Sequence, residues 1–237
     1  MDDLFYLEHC SSTNDELSSV LLYPESDFVA VYTFNQTKGR GQYGNSWNSA
    51  AGKNLAYSLA VKCTSVKVSD FLFNYYTAVL VHDFLANLTD KKVKIKWPND
   101  IILHNKKVCG ILLEKKKFNN QLYFVIGIGV NVLQEKFDEI SNAGSILTQT
   151  SKVFDLKEFT ENFHKFMTEN LKSIPSENEI LERFNYQLFK KDEISVFEKD
   201  GLRQNGIIRF ADKNGEVHIE FEDGTQKFYH KEIKLLY

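Results

Sequence analysis

No hydrophobic run in the chain approaches the stretch of about 18 residues that a membrane helix needs. The amino terminus, MDDLFYLEHC, opens acidic and lacks the basic-then-apolar pattern of an export signal, so a cytoplasmic protein is expected. Cysteine is scarce. Cys10, Cys63 and Cys109 are odd in number and show no C-x-x-C spacing, which argues against a disulfide framework or a zinc site and leaves them as reduced, buried small hydrophobes. An excess of positive charge is also absent: 29 Lys and Arg stand against 32 Asp and Glu, a formal charge of -3. No global field would gather nucleic acid or an anionic membrane, so any basic chemistry must be local. Internal repeats, low-complexity tracts and Pro/Gly-rich linkers are missing too.

What is present suffices for one large domain or a domain with a small appendage: 237 residues, 43% of them hydrophobic. LFYLEH reads as a short strand, and the Ser/Thr/Asn run at residues 11–14 as the start of a helix carrying Leu17, Val20 and Leu21. FVAVYTF (28–34) and NLAYSLAVKC (54–63) are β-prone, and residues 35–54 between them form a long loop. The run from Ser69 is helical, with Phe71, Tyr75, Val79, His82 and Ala86 on one face; His82 there is a packed or solvated residue, not a ligand. KKVKIKWPND alternates lysines with Val93, Ile95 and Trp97 as a half-buried strand would, with solvated lysines and a core tryptophan. Antiparallel strands follow, turning at HNKK and KFNN, and then two helices, the second capped by Ser176 after Pro175. Past residue 190, short strands alternate with KDG, DKNG and EDG turns. The expected fold class is therefore α+β, with a catalytic-sized unit over 1–189 and a small β-barrel over 190–237.

GRGQYG (39–44) matches the spacing G-x-G-x-x-G. In a dinucleotide fold that turn opens into a helix, with an acidic residue roughly 20 positions on. Here a helix-poor segment, NSWNSAAGKN, runs into a strand. No H-R-D-L-x-x-x-N, D-F-G or G-x-x-x-x-G-K-[ST] occurs, which removes the kinase and P-loop readings. What remains is a glycine-rich segment bearing Lys38 and Arg40, either an ordinary solvated loop or one suited to fold over an anion.

Taken together, SSTN (11–14), QTKGRGQYGNSW (36–47), KWPND (96–100), KKVCGILLE (106–114) and GIGVNV (127–132) resemble biotin protein ligase, in that family's order and along the whole chain. The resemblance implies a mixed, mostly antiparallel sheet flanked by helices, like that of class II aminoacyl-tRNA synthetases, followed by an SH3-like barrel. It implies two-step chemistry: biotin and ATP give biotinyl-adenylate, and a lysine of a biotin carboxyl carrier domain then takes the biotinyl group. Biotin would meet Ser12, Thr13, Asn14, Gln36, Arg40, Gly41, Gln42, Lys107 and Gly110, with Asn14 capping its turn. The adenylate would meet Gly39, Arg40, Trp47, Lys107 and Asn131. Lys107 matches the catalytic lysine, Arg40 the loop arginine that closes over the adenylate, Trp47 the ring on adenine, and Asn131 the reader of its edge. Gly127 and Gly129 would let ligand approach the backbone. Asp100 would help to hold Mg²⁺ or serve as a structural acceptor.

One position departs from the frequent G-R-G-R form: Gln42 stands where a second arginine is common, removing a fixed charge. The SSTN motif at residue 11 leaves no room ahead of it for a helix-turn-helix, so the short, monofunctional type without DNA binding is expected. Two alternatives stay open: a lipoate ligase, although R-R-x-S-G-G-G is absent, and a biotin-binding protein without turnover. An exposed sheet edge leaves monomer and homodimer open.

Overall fold

The computed structural model describes residues 3–21, 27–137 and 141–237. Met1 and Asp2 of the acidic terminus, and Leu22 and Tyr23 at the end of the first helical run, lie outside them. The first part of the chain comprises β1 (Asp3–Tyr6), α1 (Thr13–Val20), β2 (Phe28–Thr33), β3 (Gly39–Arg40), β4 (Ser46–Trp47), β5 (Asn54–Lys62), α2 (Asp70–Thr89), β6 (Val93–Lys96), β7 (Asp100–Leu103), β8 (Lys106–Phe118) and β9 (Gln121–Asn131). Three helices follow, α3 (Ile146–Thr150), α4 (Leu156–Leu171) and α5 (Glu177–Tyr186), and then β10 (Ile194–Lys199), β11 (Leu202–Ala211), β12 (Val217–Phe221), β13 (Gly224–Phe228) and β14 (Lys234–Leu236). No helix among the described residues is long and apolar enough to cross a membrane.

The main sheet has seven strands in the order β1-β2-β5-β9-β8-β7-β6; β1 runs parallel to β2 and every other pair is antiparallel. Its hairpins turn where the side chains allow it. His104 and Asn105 (φ 48° and 63°) and Asn119 and Asn120 (φ 45° and 64°) adopt left-handed backbone at both central positions, which matches the twist of antiparallel strands. Alternation then sorts the faces. Leu55, Val130, Cys109, Ile101 and Ile95 point to the main core under the helices, while Val31, Ala60 and Val125 pack with Leu17 of α1 on the other face.

The helix α2 is buried on more than the single face that its spacing suggests. Leu72, Phe73, Tyr76, Leu80 and Val81 are buried all round it, whereas Phe71 is 48% exposed. The reason is that the sheet lies on one side and α4 and α5 on the other, so an almost uncharged run of 20 residues is covered from both. His82 is packed there, with Nδ1 at 2.8 Å from Asp83 and Nε2 at 3.1 Å from the Val93 carbonyl. Trp97 is partly, not wholly, buried and donates its indole N–H to the Tyr75 hydroxyl at 3.1 Å. Cys10 and Cys109 are buried and Cys63 half-buried, all as free thiols. The short helix α3 carries a Ser145–Thr148 capping box that the apolar periodicity does not reveal.

The five carboxyl-terminal strands form an antiparallel sheet in the order β13-β12-β11-β10-β14, closed over Phe197, Ile208, Val217, Ile219 and Phe228. The edge strands β13 and β14 do not pair with each other, so the expected barrel is an open one. It is tied to the first unit by the Asn185 amide, which donates to the Ala211 carbonyl (2.9 Å) and accepts from its N–H (2.7 Å). A second tie is His230, edge-on to Trp97 at 5.8 Å and to Tyr43 of the glycine loop at 5.1 Å. Beside it, Lys231 donates to the Tyr43 carbonyl at 3.1 Å.

Two outcomes are expected. Tyr75 of α2 and Phe184 of α5 stack at 3.9 Å, both almost fully buried, so Phe184→Ala should destabilise the chain by about 3–5 kcal/mol in a urea titration. Burial, aided by the Lys96 charge, lowers the pKa of His230 to about 4. An unfolded histidine titrates near 6.5, at about the model-peptide value. Between these values the unfolded chain binds a proton that the folded chain does not, so stability falls as pH drops through that window. The urea midpoint of His230→Gln should therefore fall less between pH 7 and pH 5 than that of the wild type.

Candidate active site

One row of cleft-face residues crosses five strands in register: Ala56 on β5, Gly129 on β9, Gly110 on β8, Asp100 on β7 and Lys96 on β6. Three neighbours in that row carry nothing larger than a methyl, which leaves a trough in the sheet. The indole of Trp47 lies in it, against the positions where side chains of Gly129 and Gly110 would project. In the adjacent row, Ser58–Gly127–Leu112, only the middle position is bare, and there the Asn14 amide fills the space over Gly127. The glycines thus admit Trp47 and Asn14, where the sequence suggested a ligand against bare backbone.

Over this floor opens a cleft with about 750 Å³ of open space, its mouth included. Ser12, Thr13, Asn14, Gln36, Arg40, Gly41, Gln42, Trp47, Asp100, Lys107 and Gly110 all line it. Gly39 and Asn131 do not. Gly39 is buried beneath the loop, where a side chain would strike the Trp47 carbonyl and the Gln36 amide. Asn131 is buried on β9, donating to the Gly144 carbonyl at 3.0 Å, while its Oδ1 has no partner among the described residues.

At one end, polar groups form a closed set. Gln36 Oε1 accepts from the Thr13 N–H (2.9 Å) and hydroxyl (3.2 Å), and Ser58 Oγ lies 2.7 Å from Thr13 Oγ1 and 2.5 Å from Asn14 Oδ1. Asn14 does not cap its turn; its amide N–H₂ donates to Glu114 at 2.7 Å. Ser12 occupies the N-cap position of α1 without a capping side-chain bond and faces the cleft instead.

At the other end stand the charges. Lys107 Nζ is 2.6 Å from Asp100 Oδ1 and 5.6 Å from the centroid of the Trp47 ring. Lys96, expected to be solvated, reaches the other Asp100 oxygen at 3.7 Å, and burial lowers its pKa. Across the mouth, Arg40 grips Asp15 of α1 through two bonds of 2.8 Å and approaches Glu114 at 3.5 Å, and Lys116 joins the same two carboxylates. Burial works against the ionised Asp15 carboxyl, yet the Arg40 and Lys116 hydrogen bonds prevail and hold it below the ordinary range. The loop between these ends is a ribbon of β3 and β4, with Tyr43 (φ 54°) in left-handed backbone at its tip.

Asp100 is a poor start for a magnesium site. Both its oxygens face ammonium groups, and no group of three or more His, Cys, Asp or Glu among the described residues could hold a metal. The arrangement fits the structural reading of Asp100, as the acceptor that aims two lysines.

Ser58, Asp15, Glu114 and His230 belong to the site and were not singled out from the sequence. Ser58 left a signal, as the one polar residue inside LAYSLAV. His230 left none, because nearly 200 residues separate it from the loop whose tip it touches.

The model of the biotin/lipoate A/B protein ligase family matches residues 6–131. The bifunctional ligase/repressor BirA of Escherichia coli is 28% identical over 227 residues, covering 91% of this chain and 68% of that protein. The biotin–[acetyl-CoA-carboxylase] ligase of Mycobacterium tuberculosis is 32% identical over 141 residues, 57% of this chain and 52% of its own length. The biotin protein ligase of Aquifex aeolicus in complex with biotin and ATP superimposes with a TM-score of 0.81 at 26% identity, over 100% of this chain and 99% of that one. With the matched segment holding the glycine loop, the trough and Lys107, the chain belongs to the biotin/lipoate A/B protein ligase family.

Proposed function

We propose that the chain is a biotin protein ligase: it joins biotin to ATP as biotinyl-adenylate and passes the biotinyl group to a lysine of a biotin carboxyl carrier domain. The observation that carries this reading is a trough of Ala56, Gly129 and Gly110 with a hydrogen-bonding nest at one end and the Lys107 ammonium at the other. A urea ring offers both donors and a carbonyl acceptor, and the Thr13, Asn14, Gln36 and Ser58 set can answer both kinds. The dithiolane of lipoate has neither strong donor nor strong acceptor, which favours biotin within the family. The catalytic unit is taken as 1–189 and the small sheet as 190–237.

In the first step, an oxygen of the biotin carboxylate attacks the α-phosphorus of ATP and pyrophosphate leaves. Two anions must meet, and fixed cations offset their repulsion. Lys107 supplies a compact charge between the two reacting groups. Arg40, freed from Asp15, supplies a planar fork to the phosphate, and Trp47 swings from the trough to cover the adenine. Gly41 and Gln42 let the ribbon fold down over both ligands. In the second step, the acceptor amine attacks the carbonyl of the mixed anhydride, AMP leaves with the bonding pair, and the ammonium proton passes to solvent. Magnesium would accompany the triphosphate; no step here is assigned to a metal held by the protein.

Incubation with ATP, Mg²⁺, a carrier domain and either biotin or lipoate tests the reading directly: the carrier should gain the mass of a biotinyl group and none from lipoate. Tight biotin binding without mass gain would instead support a binding protein. Lys107→Ala should slow biotin-dependent pyrophosphate release by about 100-fold or more, the usual effect of losing one fixed group at such a transition state. Gln42→Arg should retain the adenylate longer, seen as slower escape of the intermediate into solution in the absence of carrier; equal escape rates would sink that role for position 42.

A further inference from the structure

The cleft face of the main sheet continues past Lys107. Lys107 pairs with Ile102 on β7, and Ile102 with Lys94 on β6, so Lys94 lies on the same face two strand spacings away, roughly 10 Å. Beyond β6 the chain from α5 runs along the sheet edge, with Leu188 bridged to Ile95 and the Phe189 N–H donating to the Ile95 carbonyl at 2.8 Å. Between that segment and the β7–β8 turn lies a second groove, walled by Lys92, Lys94, His104, Tyr186, Lys190 and Lys191.

Its charge is one-sided. Among the described residues two acidic ones reach it, and both are already taken: Asp192 by Arg209 at 2.8 Å and Glu193 by Lys190 at 2.8 Å. Lys92, Lys94 and Lys191 have no carboxylate within salt-bridge distance among the described residues, in a chain whose net charge is -3. The Lys94 ammonium is fixed, not free to wander: it donates to the Tyr186 carbonyl and to Gln187 Oε1, each at 3.2 Å, and lies 5.5 Å from the centre of the Tyr186 ring. Burial first, and then repulsion from Lys92 and Lys191, lowers its pKa. Gathering like charges without a counter-charge is a cost that an acidic partner would relieve. Tyr186 itself is 77% exposed. An exposed tyrosine ring is a common anchor at protein interfaces, and the lysines around it supply charge that steers an acidic face.

We propose that this groove receives an acidic face of the acceptor protein, so that the target lysine projects along the sheet towards the adenylate beside Lys107. The proposal rests on the ligase reading above. It supplies what that reading lacks: a reason for the second substrate, a folded domain, to settle beside the cleft, two strand spacings from Lys107. Opposite charges across such a surface act mainly on encounter and register, and are screened by salt.

The test compares the wild type with the Lys92→Glu/Lys191→Glu double variant, with Lys92→Glu alone, and with Tyr186→Ala. Two rates are measured: biotin-dependent pyrophosphate release without acceptor, and biotin transfer to the carboxyl carrier domain of an acetyl-CoA carboxylase at low and high salt. The double variant should form adenylate at the wild-type rate, show a KM for the carrier raised tenfold or more with kcat within twofold, and lose most of the salt dependence of transfer. Lys92→Glu, a change at an exposed side chain, should give the same split at about threefold, and Tyr186→Ala should raise the carrier KM without altering its salt dependence. Intact adenylate formation with an unchanged carrier KM in the variants would overturn the groove alone. A wild type that releases no biotin-dependent pyrophosphate would remove the ligase reading, and the groove with it. Inhibition of transfer by a duplex oligonucleotide, abolished in the double variant, would make the groove a polyanion site and overturn the assignment to a protein partner.

Discussion

The site depends on three neighbouring strands giving up their side chains in one row. Ala56, Gly129 and Gly110 stand side by side across β5, β9 and β8, and anything larger at the two glycines would collide with the Trp47 indole. The sheet can forgo side chains here because its opposite face is densely filled: Leu55, Val130 and Cys109, one residue along on the same three strands, are all fully buried against the helices. Alternation along a strand therefore divides labour, with one set of alternate positions holding the fold together and the other making room.

Much of this could be read from the residues alone. The strands and their order of appearance, the hairpins at His104–Asn105 and Asn119–Asn120 and the cap at Ser176 follow from periodicity and turn chemistry, which act over a few residues. The motifs also converged as expected, since Ser12, Gln36, Arg40, Asp100 and Lys107 all reach one cleft. What the sequence concealed were relations that exist only after folding. Nothing in KWPND says whether Lys96 is solvated; that depends on a carboxylate brought within 3.7 Å by the next strand and on the ring of Tyr237, whose centre lies 5.7 Å from the ammonium. The full burial of α2 likewise depends on α4 and α5, which come much later in the chain.

The same limit explains the two glycines that were read as openings for a ligand. A side-chain-free position on a buried strand announces that something approaches, and in this structure it is the protein's own Asn14 and Trp47 that do so. Asn14 has thereby exchanged a local role at the helix start for a place in a network that spans α1, β5 and β8.

The pairing of Arg40 with Asp15 has a consequence for how anions are admitted. The guanidinium already holds a carboxylate through both of its terminal nitrogens, in the geometry that a phosphate would offer. On the proposed ligase reading, an incoming nucleotide would displace an internal stand-in and would not meet a bare cation. On that reading, competition from Asp15 would blunt affinity for stray anions, and Asp15 would take the guanidinium back once the product departs, so that the entrance would reset without exposing an unbalanced charge.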